Sequence, residues 1–235
     1  MPSATNLQDQ NELTVEGQAP ENLFLRDFPG FEVTRLRGIR PRGSVIFSEG
    51  QPAKGVYVLC TGRAKVSISS AEARTVILRI AQQGDLLGVN AVLKGLPCEA
   101  TVETLERCQV DFISCPDFLR IIDNSKAARL WLTRALSSES SELVERARSL
   151  LLSQSAAEKL AGLLVKWCDE QGEVATEGIR VNPGLTHEEI AQMICASRET
   201  VTRLFAEFRR KGIVSSARNA IFVRHLNVLE SMVCR

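Results

Sequence analysis

The stretch from Leu185 to Phe208 constrains the fold of this chain most, because it holds two complete helix-start signals separated by a short break. Thr186 precedes Glu189 by three positions, which is the spacing of a capping box. Ser197 provides a second N-cap after the break. The sequence therefore predicts two short helices joined by a tight turn.

The second of these helices has one apolar face and one polar face. Its apolar residues recur at positions i, i+3, i+4 and i+7, and they are Val201, Leu204, Phe205 and Phe208. The opposite face carries Arg198, Glu199, Thr202 and Arg203. A solvated surface helix would show the same pattern. Because caps, turn and polar face coincide here, the pattern favours a helix-turn-helix that binds DNA.

Specific side chains suit the chemistry of base recognition. Arg pairs with guanine O6 and N7, and Glu accepts from cytosine N4. His187, at the first position of the first helix, is expected to contact phosphate or to be a plain surface residue. The predicted DNA contacts are Thr186, His187, Ser197, Arg198, Glu199, Thr200, Thr202, Arg203 and Arg218.

Positive charge is concentrated beside the predicted reading helix. The whole chain has a formal net charge of only +1. Between Arg198 and Arg224, however, seven Lys and Arg stand against two Glu, which gives +5. Phosphate attraction needs such a local excess rather than a basic total.

The segment CASRETVTRLFAEFRRKGIV resembles the recognition helix of the cAMP receptor protein/FNR family of bacterial transcription regulators. Arg198-Glu199-x-x-x-Arg203 matches the cAMP receptor protein branch, whose triad reads a TGTGA-like half-site. The FNR branch has an apolar residue in place of Arg198 and a Ser in place of Thr202. The resemblance covers roughly positions 25–230. It implies a homodimer on palindromic double-stranded DNA, and RNA polymerase as a partner if the protein activates transcription.

The N-terminal half alternates in a way that is typical of β-strands. Strands are expected at 45–47, 56–60, 64–68 and 75–80, separated by glycine turns, and one or two short helices over 23–40. This pattern indicates an antiparallel barrel or jelly roll. The spacing RPRG-x-x-x-F-x-EG followed by YVLCTGRAKV also resembles the family's cyclic-nucleotide-binding fold.

The predicted fold is therefore α+β, with an N-terminal β-roll, a long helix and a C-terminal winged helix-turn-helix. The long helix has a stripe comprising Leu132, Leu136, Ser140, Leu143, Ala147 and Leu150, and the resemblance implies that it pairs with its twin. A wing is expected around 213–223. The predicted boundaries are 1–20 for a mobile tail, 21–123 for the sensor, 124–152 for the dimerisation helix and 153–235 for the DNA-binding domain.

The predicted effector pocket lacks the cassette that holds a cyclic nucleotide in this family. That cassette has Gly-Glu before a short helix and Arg-Ser-Ala after it, with the Arg on the phosphate. The corresponding residues here are Gly88, Val89, Asn90, Cys98, Glu99 and Ala100. A carboxylate near a phosphate disfavours binding through like-charge repulsion. The signal is therefore expected to be something other than cAMP or cGMP.

The sequence predicts no resident cofactor. An iron–sulfur cluster needs four thiolates, and no cysteine precedes Cys60. Cys60 and Cys108 are expected to be small buried hydrophobes. Haem would need an axial ligand, and both histidines, His187 and His225, lie in the DNA-binding half.

Other classes of protein are disfavoured. No enzyme motif appears, no apolar run is long enough for a membrane span, and the odd number of seven cysteines does not suit a secreted disulfide framework. A cytoplasmic location is expected.

Two alternatives share the predicted fold. One is a regulatory module that binds another protein and not DNA. The other is a redox-responsive regulator, which would respond through a cysteine, with Cys195 as the candidate, or through a bound cofactor. Cys195 occupies a turn position where relatives have Gly, and oxidation there would weaken DNA binding. The competing interpretation is an inert thiol packed between the two helices.

Overall fold

The computed structural model describes residues 35–72, 74–152, 155–217 and 220–233. These residues form two compact units. The first comprises the described part of Met1–Ala64 together with Ala81–Ala128, and the second comprises Lys65–Ile80 together with the described part of Arg129–Arg235. The predicted tail at 1–20 lies outside the described residues.

The strands are β1 Arg35–Arg40, β2 Val45–Phe47, β3 Gly55–Thr61, β4 Ala64–Ser69, β5 Thr75–Ala81, β6 Leu86–Leu87, β7 Thr101–Thr104, β8 Cys108–Ser114, β9 Glu173–Ala175, β10 Gly178–Val181, β11 Val214–Ala217 and β12 Ala220–Val223. The helices, numbered within the described residues, are α1 Val89–Lys94, α2 Cys115–Asn124, α3 Lys126–Leu152, α4 Ala156–Gln171, α5 His187–Ile194, α6 Arg198–Arg210 and α7 Leu226–Val233.

The first unit is built on an antiparallel sheet with the strand order β1-β8-β3-β6. Strand β2 pairs antiparallel with β7. Fully buried side chains line its core, among them Val56, Leu59, Ile113, Phe118 and Ile121. The predicted strands at 45–47 and 56–60 are confirmed as β2 and β3.

The predicted helix over 23–40 is wrong where it can be compared. Residues 35–40 form β1, whose six residues pair in register with β8 from Arg35–Ile113 to Arg40–Cys108. Pairing with a distant strand overrides local propensity in this segment. The rest of that prediction, 23–34, lies outside the described residues.

The second unit is organised around the helices α4 to α7. Ser155 caps α4 by accepting a hydrogen bond from the backbone N–H of Glu158 at 3.2 Å. The core contains Leu160, Leu164, Ile190, Phe208 and Leu229. Ile77 from the hairpin of β4 and β5 is buried in the same core.

The predicted wing forms part of a larger sheet. Strands β11 and β12 are present as expected, but the strand order is β11-β12-β10-β9. The prediction of a two-stranded wing is therefore incomplete, because β10, which precedes α5, pairs with β12, and β9 pairs with β10. Arg218 lies outside the described residues.

The long helix α3 leaves apolar side chains exposed. Leu143 is 40% exposed and Val144 is 57% exposed, and Leu151 reaches 80%. Glu139, one helical turn before Leu143, forms an ion pair with Arg79 of β5 at 3.2 Å. Among the described residues, no helix is long and apolar enough to span a membrane.

Candidate nucleic-acid interface

The start of α5 has the geometry that the sequence predicts. The hydroxyl of Thr186 accepts from the backbone N–H of Glu189 at 3.2 Å. In return, Glu189 Oε2 accepts from the backbone N–H of Thr186 at 2.7 Å. This reciprocal pair satisfies two otherwise orphan N–H groups and fixes where the helix begins.

The turn between the helices depends on a left-handed residue. Cys195 has φ 53° and ψ 44°, and it is the one non-glycine residue with positive φ in the described part of the chain. Its thiol is exposed. The expectation of a packed thiol between the helices is therefore wrong, because the residue is exposed. The predicted Gly-like backbone is confirmed.

The second cap and the two faces of α6 are also as predicted. Ser197 Oγ accepts from the backbone N–H of Thr200 at 3.2 Å. Buried side chains on one face are Val201, Leu204, Phe205 and Phe208. Exposed side chains on the other are Arg198, Glu199, Thr202 and Arg203. The polar face is thus presented as one surface beginning at the first turn of α6.

The carboxylate of Glu199 on this surface is held in its ionised form. The pKa of Glu199 is lowered by hydrogen bonding to its own backbone N–H and to Ser197, with a smaller contribution from Arg198. Arg209 and Arg210 are exposed in the last turn of α6, and Lys211 follows, paired with Glu207 at 2.7 Å. The surface therefore combines cations with a carboxylate that can accept from a base.

His187 joins the two helices rather than standing free on the surface. Its Nδ1 lies 2.9 Å from Thr202 Oγ1, and its ring stacks on Phe205 at 5.1 Å between centroids and 8° between planes. Burial lowers the pKa of His187, and the charges of Arg209 and Arg198 lower it further. The imidazole is therefore neutral near pH 7. In the free protein it does not offer a positive charge to a phosphate.

Two cations behind the helix-turn-helix were missed by sequence reasoning. Arg146 of α3 donates to the carbonyl oxygen of Met193 in α5 and to that of Ile77 at 3.3 Å. Lys65 of β4 lies 3.7 Å from Glu189. Both partners are more than 45 positions away in the chain, so no short-range pattern could have revealed them.

Two of the predicted effector residues lie beside an aromatic cluster in the first unit. Phe47 and Tyr57 have ring centroids 5.6 Å apart, and Tyr57 and Phe112 have theirs 5.0 Å apart. A Cβ at Gly88, which has φ 83°, would meet the Phe47 ring at 3.6 Å. Burial raises the pKa of Tyr57, Arg40 lowers it, and the nearby Cys98 raises it. Gly88 and Cys98 therefore lie beside the same rings.

The remaining effector candidates differ in exposure. Val89 is buried, Asn90 and Ala100 are half-buried, and Glu99 is exposed. Glu99 accepts from Lys94 Nζ at 2.7 Å. This ion pair reduces the like-charge repulsion expected between Glu99 and a phosphate, so the case against a cyclic nucleotide depends mainly on the missing Arg.

The two barrel cysteines are buried, as expected. Cys60 is 5% exposed and Cys108 is 1% exposed. Burial raises the pKa of Cys60 to about 12, with a further contribution from Asp111. Burial also raises the pKa of Cys108. These thiols are therefore protonated and unreactive at neutral pH.

Comparison with known protein families divides the chain in the same order. Residues 40–125 match the model for the cyclic nucleotide-binding domain, and residues 158–232 match the model for the Crp-like helix-turn-helix domain. A CRP-like cAMP-activated global transcriptional regulator of Mycobacterium tuberculosis is 28% identical over 178 residues, which are 73% of this chain and 76% of that protein. A global nitrogen regulator of Nostoc sp. is 26% identical over 184 residues, which are 77% of this chain and 82% of that protein.

Solved structures share the fold. A mutant of CooA from Carboxydothermus hydrogenoformans superposes with a TM-score of 0.75 at 20% identity, covering 92% of this chain and 98% of that one. FixK2 from Bradyrhizobium japonicum gives a TM-score of 0.72 at 18% identity, covering 85% and 98%. The β-sheet domain, long helix and helix-turn-helix occur in this order in the structure. The chain thus belongs to the cAMP receptor protein/FNR family of transcription regulators.

Proposed function

We propose that this protein is a homodimeric regulator that binds a palindromic TGTGA-like DNA site through α6. The observation that carries the proposal is the exposed face on which Arg198, Glu199 and Arg203 stand together, at the start of a helix whose opposite face is buried. The N-terminal residues of a recognition helix are those that reach base edges in the major groove. In this arrangement the two arginines bind guanine and the glutamate accepts from cytosine.

The exposed apolar side chains of α3 support a dimer. Leu143 belongs to the predicted stripe and remains 40% exposed in the single chain. A twin helix packed on the stripe would remove it from water, and the resulting two-fold axis suits a palindrome. The two copies of α6 would then enter the groove about 34 Å apart, one turn of DNA.

The signal is proposed to be something other than cAMP. An Arg at Cys98 or Glu99 would be needed to neutralise a cyclic phosphate, and a Glu at Val89 to hold the ribose. Both are replaced, and the aromatic cluster of Phe47, Tyr57 and Phe112 lies beside this position. Isothermal titration with cAMP tests the proposal directly. Tight binding that is lost on changing residues 88–100 would contradict it.

DNA selection from a random pool tests the main proposal. The wild-type protein should enrich palindromes with TGTGA-like half-sites, and Arg198→Ala or Arg203→Ala should each cost about 1–3 kcal/mol and relax preference at one base pair. Arg120→Ala, an exposed arginine of the first unit, is the matched control and should change nothing. Unchanged selectivity in both α6 variants would refute the assignment.

The same selection separates the two remaining alternatives. A regulatory module that binds only protein would enrich no sequence at all. A redox-responsive regulator would lose its DNA affinity reversibly in mild peroxide, and Cys195→Ser would retain it.

A further inference from the structure

The hydrogen bonds of His187 define which ring nitrogen carries its proton. Thr202 Oγ1 lies 2.9 Å from His187 Nδ1 and also 2.9 Å from the carbonyl oxygen of Arg198. The carbonyl can only accept, so the single hydroxyl proton of Thr202 is donated to it. Both contacts are satisfied together only if His187 donates from Nδ1–H to Thr202. The neutral ring therefore has its lone pair on Nε2.

This tautomer allows a second proton to bind without breaking the link between the helices. An imidazolium carries N–H groups at both nitrogens, so protonation at Nε2 leaves the Nδ1–H bond to Thr202 in place. The ring plane is set independently by the stack on Phe205. In the described part of the chain, the one hydrogen bond of this side chain is made by Nδ1, and Nε2 has no partner.

The charges around the ring oppose this second proton in the free protein. Burial is the largest factor that lowers the pKa of His187, and Arg209 and Arg198 of α6 add to it. On the α5 side, Glu188 is exposed. Glu189 is committed to the Thr186 cap.

A second cation also reduces the effect that the carboxylates of α5 have on the protonation of His187. Lys65 of β4 lies 3.7 Å from Glu189 and so offsets that carboxylate. The net field at His187 is therefore set mainly by arginines, which are the groups that duplex DNA would neutralise. B-DNA carries about one negative charge per 1.7 Å of its axis.

We propose that His187 takes up a proton from solvent at Nε2 when α6 enters DNA, so that DNA binding is linked to pH through this one side chain. The inference rests on the proposed DNA binding and specifies its proton linkage. Phosphates beside Arg198 and Arg209 cancel the repulsion that keeps the ring neutral, and a phosphate oxygen can accept the new Nε2–H. No other bond is made or broken in this step.

Isothermal titration of the full-length protein with a TGTGA palindrome measures the uptake. Titrations at one pH in buffers of different ionisation enthalpy give the number of protons taken up per subunit as a slope. The wild type should show a slope approaching one proton near pH 7. Its affinity should rise several-fold between pH 8 and pH 6 at constant salt.

Two variants provide the contrast. In His187→Asn the side-chain amide can still donate to Thr202 but cannot be protonated, so this variant should bind DNA more weakly than the wild type at pH 6 and show no buffer-dependent slope. His225→Gln removes the other histidine of the chain and should keep the wild-type slope. A purely structural role for His187 would not produce this difference in proton uptake.

The outcomes distinguish this inference from the proposed function. Failure of the wild type to bind any DNA would overturn both. Tight DNA binding with the same slope in wild type and His187→Asn would overturn the inference alone. Nitrogen-15 NMR of the free wild type gives a test that needs no variant, because a neutral ring with its proton on Nε2 would also overturn it.

Discussion

Lys65 Nζ lies 3.7 Å from Glu189 Oε1, which joins the β4–β5 hairpin to the capping box of the first helix of the helix-turn-helix. The two side chains are only 15% and 11% exposed. Glu189 therefore has two roles, since it also accepts from the backbone N–H of Thr186. This pair connects the hairpin to the position at which α5 begins.

A double-mutant cycle should detect this connection. Lys65→Met and Glu189→Gln should show a coupling free energy on the order of 1 kcal/mol in urea unfolding, because the pair is largely shielded from water. The coupling should weaken in high salt only modestly. Additive effects of the two changes would show that the pair contributes nothing.

The capping box should be measurable separately. Thr186→Ala should lower the free energy of unfolding by about 1 kcal/mol, because the backbone N–H of Glu189 loses its acceptor. Thr133→Ala is the matched control, since Thr133 is exposed within α3 and its hydroxyl donates only to the carbonyl of Arg129. Equal losses in the two variants would mean that the cap has no special role. Fluorescence of the buried Trp167, in a Trp131→Phe background, reports on the second unit.

The backbone at Cys195 should be strained, because its φ of 53° suits glycine. Cys195→Gly should raise the free energy of unfolding by up to about 1 kcal/mol. The left-handed conformation costs a non-glycine residue about 1–2 kcal/mol. Part of this gain is offset because glycine loses more conformational entropy than cysteine when the chain folds. Cys195→Ala keeps the Cβ and should not gain stability. Thermal unfolding of the three proteins gives the comparison, and a gain in the alanine variant would contradict the role of φ.

Stability should depend on pH through His187. Its folded pKa lies below the ordinary value of 6.5, so between the two values the unfolded chain binds more protons than the native state. Stability from this group is therefore fully present above pH 6.5 and is lost as the pH falls toward the folded pKa. Urea unfolding at pH 7.5 and 5.5 should show a larger acid loss in the wild type than in His187→Asn. Identical losses would contradict the shift.

The stripe on α3 should control assembly. Leu143→Asp should convert a dimer into monomers, because it places a charge where a twin helix would pack. Ser141→Asp adds the same charge on the opposite side of the helix, where the side chain is exposed, and should remain dimeric. Sedimentation velocity distinguishes the two results. DNA affinity should fall in the Leu143 variant as the dimer is lost. A monomeric wild type would refute the assignment of the stripe as the dimer interface.

Local signals were sufficient for the parts of the site that are built from neighbours in sequence. The Thr186–Glu189 box and the Ser197 cap each depend on groups within about one helical turn, so the residue pattern predicts them. The left-handed position at Cys195 was implied by the family resemblance, since relatives have Gly there. The two faces of α6 follow from the same helical period. The family resemblance covered both domains for the same reason, because its motifs are contiguous.

Only the tertiary structure decided contacts between residues that are distant in the chain. Strand β1 replaced a predicted helix because β8 offers a full register of hydrogen bonds. Arg146 and Lys65 contact α5 from elements more than 45 positions away. The partner of His187 is Thr202 on the next helix, and that contact, with Arg198 and Arg209 nearby, determines its tautomer and its charge. Such pairings depend on how helices and strands pack together, which the periodicity of the residues does not predict.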